Sequence, residues 1–486
     1  MTTQQQMDIR RIDVPRDVLD TVPANIARRA GILPVALENN TLWVALRDDF
    51  DPAAISRVEA RSGLTVRQAS VSDDGAVATA IRRYYPETDG ENTDGAIGQL
   101  RQIISHALQN RASDIHFDPR QDDYCVRLRT DGLLRMDQVV ERDVAEELIS
   151  AVKVRAGLDI AEQRIPQDGQ MQMEVAGEEL NMRVATLPAV RGEKLTLRLL
   201  GSGTQEEELA QIDRLGMSNA HLKMYRRALD NPQGVILLTG PTGSGKTTTL
   251  YASLRHLRED GTCHILSIED PVEIQISGIN QVQVDPDGEL VTFGSALRSA
   301  LRHDPDVLMV GEIRDDESSD IAIKSALTGH LVLSTVHANS STNAATRLMD
   351  MGVSPFLLGS AVLLIVAQRL VRRPCPQCVS YRKMTDRERV SMGLDEDQMQ
   401  VIAEPGGCSY CRNTGYAGRI GLYEMFPIDG AVRTMLMDGA NEEELAQEVF
   451  HRRQLPTLRE DGVRKVLDKK TTLEEVNRVT YMGVTD

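Results

Sequence analysis

Lys246 and Thr247 close an octet, Gly240-Pro241-Thr242-Gly243-Ser244-Gly245-Lys246-Thr247, that fits the phosphate-loop pattern G-x-x-x-x-G-K-[ST] at every fixed position. Glycines at the corners let backbone N–H groups turn inward toward phosphate oxygens. A lysine so placed reaches the β- and γ-phosphates, and the neighbouring hydroxyl of Thr247 is positioned to ligate Mg²⁺. Thr248 continues the same binding stretch. The apolar run Val235–Thr239 predicts a strand leading into the octet. Leu250, Leu254 and Leu257, at i, i+4 and i+7, predict a helix leading out, its positive end toward the anion. The spacing implies a bound nucleoside triphosphate.

Three further segments could act on that ligand. Ser267–Glu273 (SIEDPVE) puts Glu269, Asp270 and Glu273 at the end of a predicted strand, Ile265–Ile268. In a parallel sheet that edge is where ligands bind. These carboxylates could hold Mg²⁺ or its waters, or cap a helix starting near Pro271. Asp304–Asp315 (DPDVLMVGEIRD) reads as a Walker B strand with Gly311 where many phosphate-loop enzymes carry Asp. Direct metal ligation from that position is lost, which leaves Glu312 to orient an attacking water. Thr328–His337 (TGHLVLSTVH) sets His330 and His337 at the two ends of another strand. His330 is expected at the nucleotide, and His337 as a sensor of the γ-phosphate.

A second chemistry is written in cysteine. Cys375/Cys378 and Cys408/Cys411 form two C-x-x-C pairs with 29 residues between them. This is the spacing of a tetrahedral Cys₄ zinc site, each pair making one knuckle; a redox dithiol is the other reading. Cys125 and Cys263 lie singly in apolar runs and are expected to be small core residues.

Several elements must position these groups, because 486 residues exceed one core and imply three or four domains. Residues 1–85 read as an α/β module with a strand at Thr41–Leu46 and helices at Ala53–Ser62 and Val77–Tyr85. An acidic Gly/Pro stretch, 86–95, is the expected linker. Residues 96–200 open with a helix, followed by a hairpin turning at Thr130-Asp131-Gly132 and strands at Asn181–Thr186 and Lys194–Leu200. After a polar linker, 201–211, apolar strands alternate with helices over 212–373, as in a parallel sheet covered on both faces. The cysteine module spans 374–425, and 426–486 read as charged helices. Met351–Gln368, an uncharged stretch containing Pro355, reads as a buried helix rather than a bilayer span. The net charge of −17 and an aromatic content of 3% argue against a nucleic-acid partner. With Arg10 and Arg11 not followed by an apolar segment, a cytosolic protein is expected.

These blocks, in this order, resemble the secretion-superfamily hexameric ATPases, specifically type II secretion assembly and type IV pilus assembly ATPases. ASDIHFDP (Ala112–Pro119), RVATLP…GEKLTLRLL (Arg183–Leu200), IEDPVE, DPDVLMVGEIRD, TGHLVLSTVHAN and CRNTGYAGRIGLYE all match. The resemblance implies an α/β fold: a RecA-like phosphate-loop core, a preceding α+β PAS-like domain, an N-terminal α/β docking domain and a zinc-binding insert. It implies a homohexamer using ATP, Mg²⁺ and Zn²⁺ on the cytoplasmic face of the inner membrane. Its partners would be an inner-membrane platform protein and the cytoplasmic domain of a bitopic protein. Phosphate-neutralising arginines of the preceding domain fall on Arg183 and Arg198, with weaker matches at Arg127 and Arg129. Type II secretion and pilus assembly both stay open. A nucleotide-sensing scaffold and a nucleic-acid translocase are further alternatives.

Overall fold

Apolar strands with no polar alternation must be buried on both faces, and β10 (Gly234–Thr239) is buried at every position. Its side chains alternate between two cores: Val235 and Leu237 enter one, Ile236 and Leu238 the other. The computed structural model containing it describes residues 14–19, 21–22, 27, 31–38, 41–46, 55, 58–59, 64–69, 74–85, 96–175, 177–200, 211–259, 261–285, 290–397 and 399–480. Apart from Gln211, both expected linkers lie outside the described residues, as does most of the helix expected at 53–62. The chain forms two compact units, residues 1–202 and 203–486.

In the first unit, β1 (Ile32–Glu38), β2 (Thr41–Leu46) and β3 (Thr65–Gln68) make a small sheet, and α1 (Asp74–Tyr84) packs on the same core. A larger antiparallel sheet follows in the order β6-β5-β4-β9-β8-β7. Its strands are β4 (Ala112–Pro119), β5 (Asp123–Thr130), β6 (Leu133–Glu141), β7 (Gln167–Val175), β8 (Glu178–Ala189) and β9 (Gly192–Leu200). The β5–β6 turn takes the expected form: Asp131 and Gly132 have φ of 50° and 83°, both positive as a tight hairpin requires. Helices α2 (Ala96–Gln109) and α3 (Arg142–Ala156) cover one face, with Leu100, Ile104, Leu148 and Val152 packed on Ile115, Phe117, Leu195 and Leu197. The other face carries mainly polar and charged side chains, with Met136 and Leu187 exposed among them.

In the second unit, seven strands run in the order β12-β11-β13-β14-β10-β15-β18. Beyond β10 these are β11 (Ile265–Glu269), β12 (Asn280–Gln283), β13 (Val307–Val310), β14 (Leu331–Val336), β15 (Val362–Pro374) and β18 (Tyr416–Pro427). All neighbours are parallel except β15–β18. Helices α4 (Asn219–Leu229), α5 (Lys246–Arg258), α6 (Phe293–Ala300), α7 (Asp316–Leu327), α8 (Ser341–Asp350) and α9 (Pro355–Ala361) cover the sheet. The stretch Met351–Gln368 corrects the sequence reading. Only α9 is helical there, and Val362 onward is a strand paired on both sides, with β10 and β18.

The paired strands β15 and β18 form a ribbon, and residues 375–415 hang from its end. They include a two-stranded sheet of β16 (Ser380–Lys383) and β17 (Val401–Glu404), and the short helix α10 (Asp386–Ser391). Strand β18 lies mostly inside the range expected for the cysteine module, yet it belongs to the main sheet. After it come α11 (Gly430–Met437), α12 (Glu442–Ala446), α13 (Leu458–Leu467) and α14 (Leu473–Thr480). Fully buried Glu475 fastens α14 to the ribbon, accepting from Arg372 N and Arg372 Nη2, both at 2.8 Å, and from Arg478 Nη2 at 2.7 Å.

Candidate active site and metal centre

The octet forms the turn between β10 and α5. Gly240, Gly243 and Gly245 have φ of 148°, 77° and 88°, conformations in which an L side chain would be strained. At Gly240 a Cβ would also meet the Gln368 carbonyl at 2.5 Å. Lys246 Nζ curls back to donate to Gly240 O at 2.8 Å and Pro241 O at 3.3 Å. Burial pulls this ammonium below its usual pKa range, Glu312 works the other way, and Arg369 adds to the fall. Ser244 is buried and its hydroxyl makes no hydrogen bond among the described residues. Glycines at positive φ, an inward lysine and an orphaned hydroxyl fit a phosphate ligand. Across an open cleft of about 260 Å³, Gly240 and Pro241 face His337, Asn339, Asn343 and Arg347.

Glu312 and His337 come together in the structure. They follow β13 and β14 at the sheet's C-terminal edge, with His337 Nε2 3.2 Å from Glu312 Oε2. The other Glu312 oxygen is held by Arg314, which also reaches Asp270 at 3.2 Å. Sequence reasoning missed Arg314, although its place two residues beyond Glu312 was a usable signal. Gly311 has a steric reason: a Cβ there would lie 3.3 Å from Ile268 O and 3.5 Å from Glu269 Cα, so β11 closes against it.

Two expected nucleotide residues stand elsewhere. His330 precedes β14 at the opposite edge, where its Nδ1 meets Ser325 O at 2.8 Å and its carbonyl accepts from Gly234 N. A six-residue strand spans about 20 Å, so His330 is remote from the loop. Glu269 is buried in a closed network: Ser267 Oγ donates to it at 2.5 Å, Gln281 Nε2 at 3.0 Å, and Tyr251 through its hydroxyl. That hydroxyl accepts in turn from Glu273 N at 3.1 Å, so Glu269 shapes the loop rather than offering ligand oxygens. No helix starts at Pro271 among the described residues, which removes the capping alternative. Glu273 is exposed beside that loop.

On the polar face of the first unit's large sheet, Arg183, Arg198, Asp114 and Arg129 stand in register on β8, β9, β4 and β5. Arg198 Nε donates to Asp114 Oδ1 at 2.9 Å, with Arg129 Nε 3.5 Å from the other oxygen. Asp118 pairs with Arg127 at 2.5 Å and Lys194 at 2.6 Å. Arg183 makes no ion pair among the described residues. The carboxylate at Asp114 was missed because its partners come from strands far apart in sequence.

The four cysteines of the module converge, with all Sγ atoms within 4.8 Å of one another. Cys375–Cys408, Cys378–Cys411 and Cys408–Cys411 are 3.9, 3.6 and 3.7 Å apart. A tetrahedron with metal–sulfur bonds of about 2.3 Å has edges of about 3.8 Å, so the cluster could hold a metal ion. Gly415 N and Cys408 N donate to Cys411 Sγ at 3.2 and 3.4 Å, as a thiolate requires. Cys125 is buried in β5, whereas Cys263 is half-buried in the loop before β11.

Set against known proteins, residues 91–478 match the family model described as type II/IV secretion system protein, and residues 4–91 match the MshEN domain. The chain belongs to the type II/IV secretion system protein family. This secretion ATPase is 40% identical to type II secretion system protein E of Pseudomonas aeruginosa, over 94% of the chain and 96% of that protein. Against type IV pilus assembly ATPase PilB of Myxococcus xanthus it is 36% identical, over 97% and 88%. Among solved structures, the ATPase DotB of Legionella pneumophila shares the fold at a TM-score of 0.59 and 19% identity, covering 81% of this chain and 97% of that one. The pilus retraction motor PilT with bound ADP gives 0.54 and 23%, covering 79% and 97%. No described helix is long and apolar enough to cross a membrane.

Proposed function

We propose that this ATPase powers pseudopilus assembly and protein export by a type II secretion system, working as a homohexamer. The supporting observation is the phosphate loop beside a Glu312 carboxylate held between His337 and Arg314, on a chain aligned over 94% of its length with a type II secretion protein E. ATP with Mg²⁺ would be held by the octet, Thr248 and the Thr247 hydroxyl, with Asp270 and Glu273 nearby. Those ligands bring the anhydride to be cleaved and the charge that polarises it. Lys246 binds the terminal phosphates, Glu312 orients water, and His337 and Arg314 fix the Glu312 carboxylate. Arg183, which makes no ion pair among the described residues, would neutralise phosphate charge at a subunit boundary; Arg198 would trade Asp114 for it.

In this reading the four cysteines bind zinc. Residues 1–85 dock the motor to its inner-membrane partners, a platform protein and a bitopic protein's cytoplasmic domain. The domain limits 96–200 and 212–373 belong to the same proposal, with the cysteine module drawn in to 375–415 because β18 is a strand of the main sheet. Type IV pilus assembly is the second reading, favoured by the PilB match across 97% of the chain. Complementation decides between them. The chain should restore export to a mutant lacking its type II ATPase and leave a mutant lacking its pilus assembly ATPase bald; the reverse pattern would overturn the assignment. Metal analysis of purified protein should find one zinc per chain.

A further inference from the structure

Strand β15 carries two polar residues into the core beneath the phosphate loop. Thr239, the last residue of β10, pairs with Ala367, so Gln368 and Arg369 lie beside Gly240. Gln368 is 2% exposed, and its Oε1 accepts from Thr249 Oγ1 at 2.9 Å. Arg369 is 7% exposed; it donates from Nη2 to Asn339 O at 2.7 Å and from Nη1 to Gln368 O at 3.0 Å. Only glycine at position 240 permits this approach, because a Cβ would lie 3.0 Å from Arg369 Nη1.

Both hydrogen-bond partners of Arg369 are neutral carbonyls, and it makes no ion pair among the described residues. The carboxylate that acts on it through space is Glu424. Its oxygens are already taken: Ser341 N and Oγ donate to Oε1 at 3.0 and 2.6 Å, and Leu458 N to Oε2 at 3.2 Å. A buried charge without a contact counter-ion is unfavourable and persists where a ligand completes it. The adjacent candidate anion site is the phosphate loop, whose Lys246 also has no contact carboxylate among the described residues.

We infer that Arg369 is a second fixed cation of the nucleotide site, acting from beneath the loop and neutralised by the phosphates of a bound nucleoside di- or triphosphate. It is a positioning and charge-supplying residue rather than a catalytic one. Through Asn339 it also ties phosphate occupancy to the segment that carries His337. This rests on the nucleotide reading of the loop.

The test measures MgADP affinity and thermal midpoint on full-length Arg369→Gln, Arg369→Lys and Lys246→Ala proteins. A charge role requires Arg369→Gln to bind MgADP at least about tenfold more weakly, with Arg369→Lys within about threefold of the parent. Without nucleotide, the midpoint of Arg369→Gln should equal or exceed the parent's, and its rise on adding MgADP should shrink. Unchanged affinity in the Gln protein, or equal losses in Gln and Lys, would overturn the inference and leave Arg369 as a strut for Asn339. Lys246→Ala tests the site itself: nucleotide binding that survives there would refute the loop reading independently of Arg369.

Discussion

The molecule's two large sheets present chemistry in opposite ways. The seven-stranded sheet is buried on both faces, so its candidate site residues sit in the loops at one edge: the octet after β10, Glu312 after β13 and His337 after β14. The six-stranded sheet has helices on one face only, and its other face carries Arg127, Arg129, Arg183, Lys194 and Arg198 around Asp114 and Asp118. Parallel strands joined by helical crossovers leave no bare face, whereas antiparallel hairpins do. The first arrangement gathers the proposed catalytic groups at a single rim, and the second spreads ion-paired charges over an open face.

Three substitutions put that contrast at risk. Lys246→Ala should have the largest effect, abolishing phosphate release in a steady-state assay; residual turnover above about 1% of the parent would break the rim assignment. Arg183→Ala should lower kcat about 1,000-fold if the open face serves a neighbour's phosphates, while leaving the thermal midpoint unchanged. Were Arg183→Ala fully active, that face would be an ordinary solvated one. Glu312→Gln should slow hydrolysis about 100-fold with nucleotide affinity retained, because it keeps the shape and loses the oxyanion. An equal loss of binding would move Glu312 from water orientation to ligand holding.

The smallest effect concerns stability in acid. Burial alone would raise the pKa of Glu475, but Arg478 and Arg372 hold it at about 2, below the ordinary 4.5. Its contribution is therefore complete above pH 4.5 and is lost as pH falls from there toward 2. Glu475→Gln should weaken the protein near neutrality and flatten its acid-unfolding curve in that window, read by circular dichroism. An unchanged curve would remove Glu475 from the account.

Local patterns were legible in the sequence because their geometry is local. The octet announces itself between an apolar strand and a leucine stripe, and Asp131-Gly132 announces a hairpin. The two C-x-x-C pairs likewise foretell the sulfur cluster. What escaped notice depends on partners distant in sequence. Met351–Gln368 suits a helix by sequence because an uncharged apolar run fits either buried element. Only its pairing with β10 and β18 makes Val362 onward a strand. The polar Gln368-Arg369 interruption of that run was the available clue. Glu269 sat at the right edge by strand order, yet Tyr251 and Gln281 close around it from another helix and strand. A strand flanked by two histidines does not say which end meets the loop, and His330 lies at the far one.

The ribbon leaves a practical consequence. Residues 375–415 depart through β15 and return through β18, and these strands stay paired from Leu364–Pro427 to Pro374–Tyr416. The excursion is thus an appendix on a closed stem: trimming it to a tight turn leaves every rung of the stem able to form. What such a graft strips bare is the flank where Met384, Met392 and Ile402 shelter Val463 and Val466.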